Sequence, residues 1–188
     1  GLDRRMRVTF WVYLIGALAI SGIAPLSGFF SKDEILGTAS TRSLPVFIIL
    51  IVAAFLTAFY MGRQIFLVFS GKPRSSLAEH ATESSPVMTV PLVILAVLSV
   101  AGGLLNLPGV HTLGSWLEHS VAAGLEVEFS FTIALISLAV ALAGLVLAWV
   151  LYGRVSLGRN AFTDPLAGML GWFFKAMNRK WWVDELYH

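Results

Sequence analysis

Four long apolar segments dominate the chain, and a more polar connection separates each from the next. They run from Thr9 to Phe30, from Leu44 to Phe69, from Pro86 to Leu105 and from Phe129 to Tyr152. Each reaches the ~20 residues that a helix needs to cross the ~30 Å hydrocarbon core of a bilayer. None alternates apolar and polar residues over ~10 positions, as the strands of a membrane barrel do. The pattern therefore predicts an all-α polytopic membrane protein with four spans.

Composition and charge placement add an orientation to this prediction. The chain is 57% hydrophobic and 13% charged, against about 25% charged in an ordinary soluble domain. It contains no cysteine, which excludes disulfides, thiolate metal sites and cysteine-ligated iron–sulfur clusters. Basic residues precede the first segment, occupy the second connection and follow the fourth segment, whereas the third connection carries only acidic charges. Because basic residues favour the cytoplasmic or matrix side, both ends of the chain are predicted to lie inside.

This organisation divides the chain into seven parts. Because a span begins almost at once and no initiator methionine precedes it, we interpret the chain as an interior fragment of a larger membrane protein. The basic leading segment and broken transmembrane helix occupy residues 1–40. The second, third and fourth transmembrane helices occupy 44–69, 86–105 and 129–152. An inner loop occupies 70–85, an outer loop 106–128, and an inner tail with an amphipathic helix 153–188.

The first element is interrupted near its middle. From Thr9 to Ser40 it counts 32 residues, and one continuous helix of that length would measure ~48 Å, more than the hydrocarbon core. Pro25 supplies a break, because proline removes a backbone donor and clashes with the carbonyl four residues earlier. Gly22 and Gly28 flank it. We predict a short non-helical joint at Gly22, Pro25 and Gly28.

The joint would separate two half-helices, Thr9–Ile23 and Ser27–Ala39. Freed backbone groups at membrane depth persist only where they are buried in protein or line a wet cavity. Broken helices of this kind recur at the ion sites of transporters. The alternative is a proline kink without any functional role.

Three consecutive charged residues, Lys32, Asp33 and Glu34, follow the break. An ionisable group inside a bilayer costs roughly 2.5–3.5 kcal/mol on insertion scales and is usually functional. Successive helical residues project about 100° apart, so Lys32 and Asp33 cannot fully satisfy each other and at least one turns to another helix or to water. Lysine suits proton handling because burial and neighbouring charges shift its pKa readily. The alternative is a solvated helix end, with Ser31–Glu34 at the headgroups.

The second, third and fourth spans carry weaker indications of structure and function. Tyr60 and Arg63, near the inner end of the second span, are interpreted as an interfacial anchor, with a polar path as the alternative. Pro91 is interpreted as a first-turn proline of the third span. In the fourth span, Ser137/Ala141 and Gly144/Ala148 have the small-xxx-small spacing that permits close helix packing.

The outer loop and the tail complete the pattern. His111, Glu118 and His119 have no supporting motif for a metal site, and Leu113–Ala123 is predicted as a short interfacial helix. In the tail, Asp164 and Pro165 stand at the cap and first positions of a helix. Its apolar side and its tryptophans are typical of a helix lying on the inner membrane surface. The apolar positions are Leu166, Met169, Leu170, Phe173, Met177 and Trp181.

One string resembles a known family. Gly16-Ala-Leu-Ala-Ile-Ser-Gly22-Ile-Ala-Pro25-Leu-Ser-Gly28-Phe-Phe-Ser-Lys32-Asp33-Glu34-Ile-Leu36 is similar to the antiporter-like subunits of proton-pumping NADH:quinone oxidoreductase (respiratory complex I), most of all to the distal one, subunit L or chain 5. Ala58-Phe-Tyr60-Met-Gly-Arg63, Glu83-Ser-Ser-Pro86-Val-Met88 and Trp182-Val-Asp184-Glu-Leu-Tyr187 resemble later segments in the same order. The likeness covers essentially the whole chain. Ala24-Pro25 departs from the Pro-Pro that the family often has.

The resemblance implies a fold with two inverted repeats, of which this chain holds the C-terminal part. It implies that Lys32 and Asp33, with Glu34 as a further candidate, transfer protons in the outer half-channel. It also implies other membrane subunits and lipid as partners, and protons as substrate. NADH, FMN, iron–sulfur clusters and quinone would belong to partner subunits, with no cofactor, metal or redox centre in this chain and no nucleic acid. The location would be a bacterial inner membrane or the mitochondrial inner membrane.

Three functions remain open from the sequence. The first is a proton-translocating subunit of the quinone oxidoreductase, and so a part of that enzyme. The second is a subunit of a stand-alone cation/proton antiporter of the same fold, against which Asp33 argues because the related antiporters tend to carry Lys-Glu there. The third is a structural membrane scaffold in which Lys32 is interfacial.

Overall fold

The computed structural model describes residues 1–71, 73, 76–106, 130–153, 164–183 and 187, and the regular secondary structure in these ranges is helical. The α-helices are α1 (Arg7–Ser21), α2 (Ser27–Arg42), α3 (Leu44–Val68), α4 (Ser76–Glu79), α5 (Pro86–Ala101), α6 (Phe131–Ala148) and α7 (Pro165–Asn178). A 3₁₀ turn follows α5 at Gly102–Asn106, a π-helical turn follows α6 at Trp149–Gly153, and a second 3₁₀ turn spans Lys180–Trp182.

Three stretches in the described part of the chain are long and apolar enough to cross a membrane. They are Leu44–Val68, Pro86–Leu104 and Phe131–Gly153. The chain is therefore a multi-pass membrane protein. The first predicted span is divided between α1, which is apolar but only 15 residues long, and α2.

The leading segment, α1 and α2 run antiparallel to α3. The Asp3 amide donates to the Phe69 carbonyl at 3.3 Å, and the rings of Phe10 and Tyr13 lie 5.2 and 5.3 Å from the Phe69 ring. At the other end, α2 ends at Arg42, and a single residue, Ser43, separates it from the start of α3 at Leu44. The paired half-helices therefore begin beside the end of α3 and finish beside its start.

The α3 and α6 helices pack closely along a stripe of small residues. A Cβ added to Gly62 would lie 2.8 Å from the Ala148 Cβ, and one added to Gly144 would lie 2.7 Å from the Phe55 carbonyl oxygen. Both distances leave no room for a larger residue, so the predicted small-residue packing of the fourth span is confirmed. The buried residues of α6 are Ala134, Ser137, Ala141, Gly144 and Ala148.

The prediction that Pro91 is a first-turn proline is wrong. Pro86 occupies the start of α5, directly after Ser85, and Pro91 lies inside the helix. An interior proline leaves the carbonyl four residues earlier without its helical partner, and a third span that begins at Pro86 already places Pro91 beyond its first turn. The possible metal ligands of the outer loop and the Leu113–Ala123 helix lie outside the described residues.

The tail helix begins where the sequence predicts. Asp164 caps α7, its Oδ1 accepting from the Leu166 amide at 3.0 Å. Gly171 adopts φ +47° and kinks the helix, so the six apolar positions predicted for one side are divided between the two parts of α7 and the turn at Lys180–Trp182. Trp172 on the far side of the kink is 68% exposed, as a residue at a membrane interface would be.

Candidate functional site

The joint between α1 and α2 begins with a left-handed glycine. Gly22 has φ +79°, and its amide donates to the Ala19 carbonyl at 3.0 Å. The next amide, of Ile23, donates to the Leu18 carbonyl at 3.1 Å. This termination satisfies two of the four carbonyls that the end of a helix leaves without intrahelical partners.

Lys32 takes the other two carbonyls. Its Nζ donates to Ile20 O at 3.1 Å and to Ser21 O at 3.3 Å. These oxygens form the negative end of the α1 dipole, where a cation is favoured. The lysine therefore reaches from α2 across the joint and binds the C-terminus of α1. Half-helix C-termini coordinate cations in the same way in transporters with broken helices.

Glycines allow the two half-helices to approach this closely. A Cβ at Gly28 would lie 2.0 Å from the Ala19 carbonyl oxygen, and one at Gly22 would lie 3.1 Å from Lys32 Cδ. Pro25 lies in the joint itself, and a Cβ at Gly103, just past α5, would lie 2.7 Å from its carbonyl oxygen. The predicted break residues thus lie at the joint, with the end of α5 packed against them.

Asp33 contacts α6, whereas Lys32 contacts α1. Its side chain is 4% exposed, and Oδ1 accepts from Ser137 Oγ on α6 at 3.1 Å. The same hydroxyl lies 3.1 Å from the Ala134 carbonyl. Lys32 and Asp33 therefore diverge to α1 and α6, as the helical spacing predicts. Glu34 follows on α2 and is half-buried.

Sequence reasoning missed the role of Ser137. It was assigned to helix packing alone, which its burial supports. The available signal was a hydroxyl in an apolar span, since a polar group in that setting needs a partner.

A second polar cluster lies near the other end of the bundle and joins α3, α6 and α7. Arg63 Nη2 donates to Asp164 Oδ2 at 2.5 Å, and Tyr152 Oη donates to Asp164 Oδ1 at 2.8 Å. The guanidinium also lies over the Tyr152 ring, 5.2 Å from its centre. Of the residues interpreted as an anchor, Tyr60 remains exposed, whereas Arg63 holds the start of the tail helix.

The charge of Asp164 is stabilised by these contacts. Burial by itself would raise the pKa of Asp164, but hydrogen bonds from the Leu166 amide, Tyr152 and Arg63 outweigh it, so the pKa lies below its usual range. The sequence did not predict the cluster, because Arg63 and Asp164 are 101 residues apart.

The Arg63–Asp164 pair should contribute measurable coupling. The measurement is the thermal midpoint of unfolding of Arg63→Ala, Asp164→Asn and the double variant, compared in a double-mutant cycle. We expect a coupling energy of about 1 kcal/mol. The value is small because the Arg63 side chain is 36% exposed and water screens the pair. Since the pKa of Asp164 is lowered, its contribution is full above the ordinary carboxyl pKa and is lost as pH falls through the lowered value. Additive effects at neutral pH would contradict this assignment.

Comparison with known proteins places this site in a family. Residues 1–57 match the family described as NADH:quinone oxidoreductase/Mrp antiporter, TM, and this range contains the joint, Lys32 and Asp33. The chain is 34% identical over its whole length to NAD(P)H-quinone oxidoreductase subunit 5, chloroplastic, of Mesostigma viride, covering 29% of that relative. It is 33% identical over its whole length to NADH-quinone oxidoreductase subunit L of Rickettsia bellii, covering 30% of it.

A third relative shows the same relationship over slightly less of the chain. NADH-quinone oxidoreductase subunit L of Mycobacterium tuberculosis is 36% identical over 86% of this chain and 26% of its own length. The chain thus spans about a third or less of the curated relatives it matches. It belongs to the antiporter-like membrane subunits of the NADH:quinone oxidoreductase/Mrp antiporter family, alongside the subunits named 5 and L.

Proposed function

We propose that this chain is part of a proton-translocating membrane subunit of NADH:quinone oxidoreductase, in which Lys32 and Asp33 transfer protons. The observation that carries the proposal is the ammonium of Lys32 bound to the C-terminus of a broken helix, next in sequence to the buried carboxylate of Asp33. Both groups lie in an apolar helical bundle, where an ionisable side chain is costly and usually functional. The names of the relatives support the assignment to this complex.

The two groups have partners that leave them able to change charge. Lys32 is held by two neutral carbonyls, so losing its proton does not require breaking an ion pair. Asp33 accepts from the neutral hydroxyl of Ser137, which can orient either charge state of a carboxyl. Glu34, half-buried on the same helix, is a further candidate for the path.

The first element supplies the fourth crossing in this proposal. Support comes from the course of α1 and α2, which begin beside the end of α3 and finish beside its start. Arg4 and Arg5 precede α1, and Arg7 is its first residue. All three are assigned to the inner side with both chain ends. We assign the chain to an inverted-repeat fold by analogy with the family, with Lys32 on the outer part of the proton path.

Partners and cofactors follow from the same proposal. Many apolar side chains of α3 and α5 are exposed, including Ile49 at 66% and Val87 at 83%, and these faces suit lipid or the helices of other membrane subunits. NADH, FMN, iron–sulfur clusters and quinone are assigned to partner subunits. Electron transfer there would drive the changes in charge at Lys32 and Asp33.

An antiporter subunit is the second candidate, favoured by one observation. The Ile20 and Ser21 carbonyls that hold Lys32 are the type of ligand that binds Na⁺ at half-helix ends. The test measures NADH-driven acidification in membrane vesicles carrying the full complex, with and without sodium. Proton pumping that is independent of sodium supports the first function. Dependence on sodium, with ²²Na⁺ moving against protons in the absence of NADH, supports the antiporter.

Ser137→Ala should weaken proton transfer without preventing assembly. The substitution removes the hydroxyl that donates to Asp33, and hydrogen bonds to a charged group contribute about 1.5–3 kcal/mol. We expect a lower proton-to-electron ratio with unchanged quinone reduction under uncoupled conditions. Thr57→Ala is the matched control, because the Thr57 hydroxyl donates only to Ala53 of its own helix among the contacts described. Equal effects of the two variants would refute a specific role for Ser137.

A further inference from the structure

The start of α1 is capped by a residue distant in sequence. Its N-cap residue, Met6, makes no side-chain hydrogen bond, and the first turn contains no acidic residue. The carboxylate of Glu83 takes this role, 75 residues away. Its Oε2 accepts from the Val8 amide at 2.7 Å, and its Oε1 accepts from the Thr9 hydroxyl at 2.6 Å.

The same carboxylate is fixed on its own segment. Glu83 Oε1 also accepts from the Ser84 amide at 3.3 Å, and α5 begins at Pro86, three positions after Glu83. The hydrogen bond from Thr9, followed by those from backbone amides, lowers the pKa of Glu83, so the group is anionic at neutral pH. An anion at a helix N-terminus also interacts favourably with the helix dipole. Glu83 thus joins the start of α1 to the start of α5.

The opposite ends of the two helices also meet. Gly103, just past α5, lies so close to the joint that an added Cβ would be 2.7 Å from the Pro25 carbonyl oxygen. The α1 helix has 15 residues and no proline, so it is a continuous helix about 22 Å long. It is therefore held against α5 at its start through Glu83 and at its end through the joint.

We propose that Glu83 is a positioning residue that fixes α1 along its axis, and with it the Ile20 and Ser21 carbonyls that bind Lys32. This inference rests on the proposed function. Glu83 touches neither Lys32 nor Asp33 in the described contacts. It acts through α1, whose first turn it binds and whose last carbonyls hold the ammonium.

The first experiment replaces Glu83 with alanine in the full chain within the assembled complex. Loss of a helix cap costs about 0.5–2 kcal/mol, so amide exchange at Val8 and Thr9 should rise by roughly 2- to 30-fold. We also expect a reduced proton-to-electron ratio, with uncoupled NADH:quinone turnover unchanged. Glu79→Ala is the matched control, since it removes the same charge from an exposed position of the preceding α4. A wild-type ratio in Glu83→Ala overturns the inference.

A rescue variant separates positioning from simple capping. Adding Met6→Asp to Glu83→Ala supplies a local cap for the same two residues, but no link to α5. The inference expects amide exchange to return to wild type while the proton ratio stays low. Recovery of both would show that Glu83 only stabilises the helix end, and would overturn the positioning role.

Two further variants keep the result decisive. If the complex carrying Glu83→Ala fails to assemble, Glu83→Gln is measured in its place, because glutamine retains one acceptor oxygen. We expect a smaller fall in the proton-to-electron ratio. An unchanged ratio overturns the inference. Lys32→Met is measured in parallel. Normal pumping in both the Lys32 and the Glu83 variants refutes the proposed function itself, whereas normal pumping in the Glu83 variants alone refutes only the positioning role.

Discussion

Replacing Lys32 with methionine is expected to stop proton transfer at this site while the complex still assembles. Methionine fills a similar volume but cannot bind a proton. A positioned proton donor or acceptor typically contributes 10²–10⁴-fold in rate, so transfer through this path should slow by at least about 100-fold. The measurement is the number of protons pumped per electron in membranes carrying the full complex, with uncoupled NADH:quinone turnover recorded beside it.

Lys32→Arg separates the two roles of the residue. An arginine keeps a permanent positive charge at the end of α1 but does not lose its proton in proteins. If Lys32 works as a proton carrier, the arginine variant should assemble well and still pump poorly. If Lys32 only caps α1 through Ile20 and Ser21, the arginine variant should pump normally.

The matched control for the methionine variant lies on the tail helix. Lys175 is exposed on α7, so Lys175→Met removes the same charge away from the joint and should leave the proton ratio unchanged. A wild-type ratio in Lys32→Met would exclude Lys32 from the proton path. It would leave the structural scaffold as the better account of this segment.

Local features of the structure could be predicted from the sequence because they depend on neighbouring residues. The joint follows from Pro25 and its glycines, and the divergence of Lys32 and Asp33 follows from helical periodicity. The capping of α7 by Asp164 follows from the Asp-Pro pair. In each case the determining groups lie within a few positions of one another, so the pattern along the chain contains the information.

Long-range contacts could not be predicted in the same way. Ser137 and Asp33 are 104 residues apart, and Glu83 and Val8 are 75 apart. No rule of spacing pairs such residues, because the pairing depends on which helices pack together and in which register. The misassignment of Pro91 has a local cause instead: with Pro86 at the first position of α5, Pro91 is the sixth residue of the helix and lies beyond its first turn.

The joint itself gives the most sensitive test of the geometry. Gly28→Ala would place a methyl group 2.0 Å from the Ala19 carbonyl oxygen, far inside van der Waals contact. Overpacking a well-packed interior typically costs 1–3 kcal/mol, and here the neighbour is backbone that cannot rotate away. The α2 helix must therefore move away from α1, and Lys32 loses hydrogen bonds to Ile20 and Ser21. We expect less assembled complex and a reduced proton-to-electron ratio in the fraction that assembles.

Gly37→Ala is the matched control on the same helix, and its effect should have the opposite sign. A Cβ at Gly37 would meet nothing within 4 Å, and an alanine inside a helix is favoured over glycine by about 0.8–1.0 kcal/mol. The Gly37 variant should therefore assemble at least as well as wild type and pump normally. If Gly28→Ala behaved like Gly37→Ala, α1 and α2 could not approach as closely as described. The binding of Lys32 to the end of α1, on which the proton-transfer proposal depends, would then have to be abandoned.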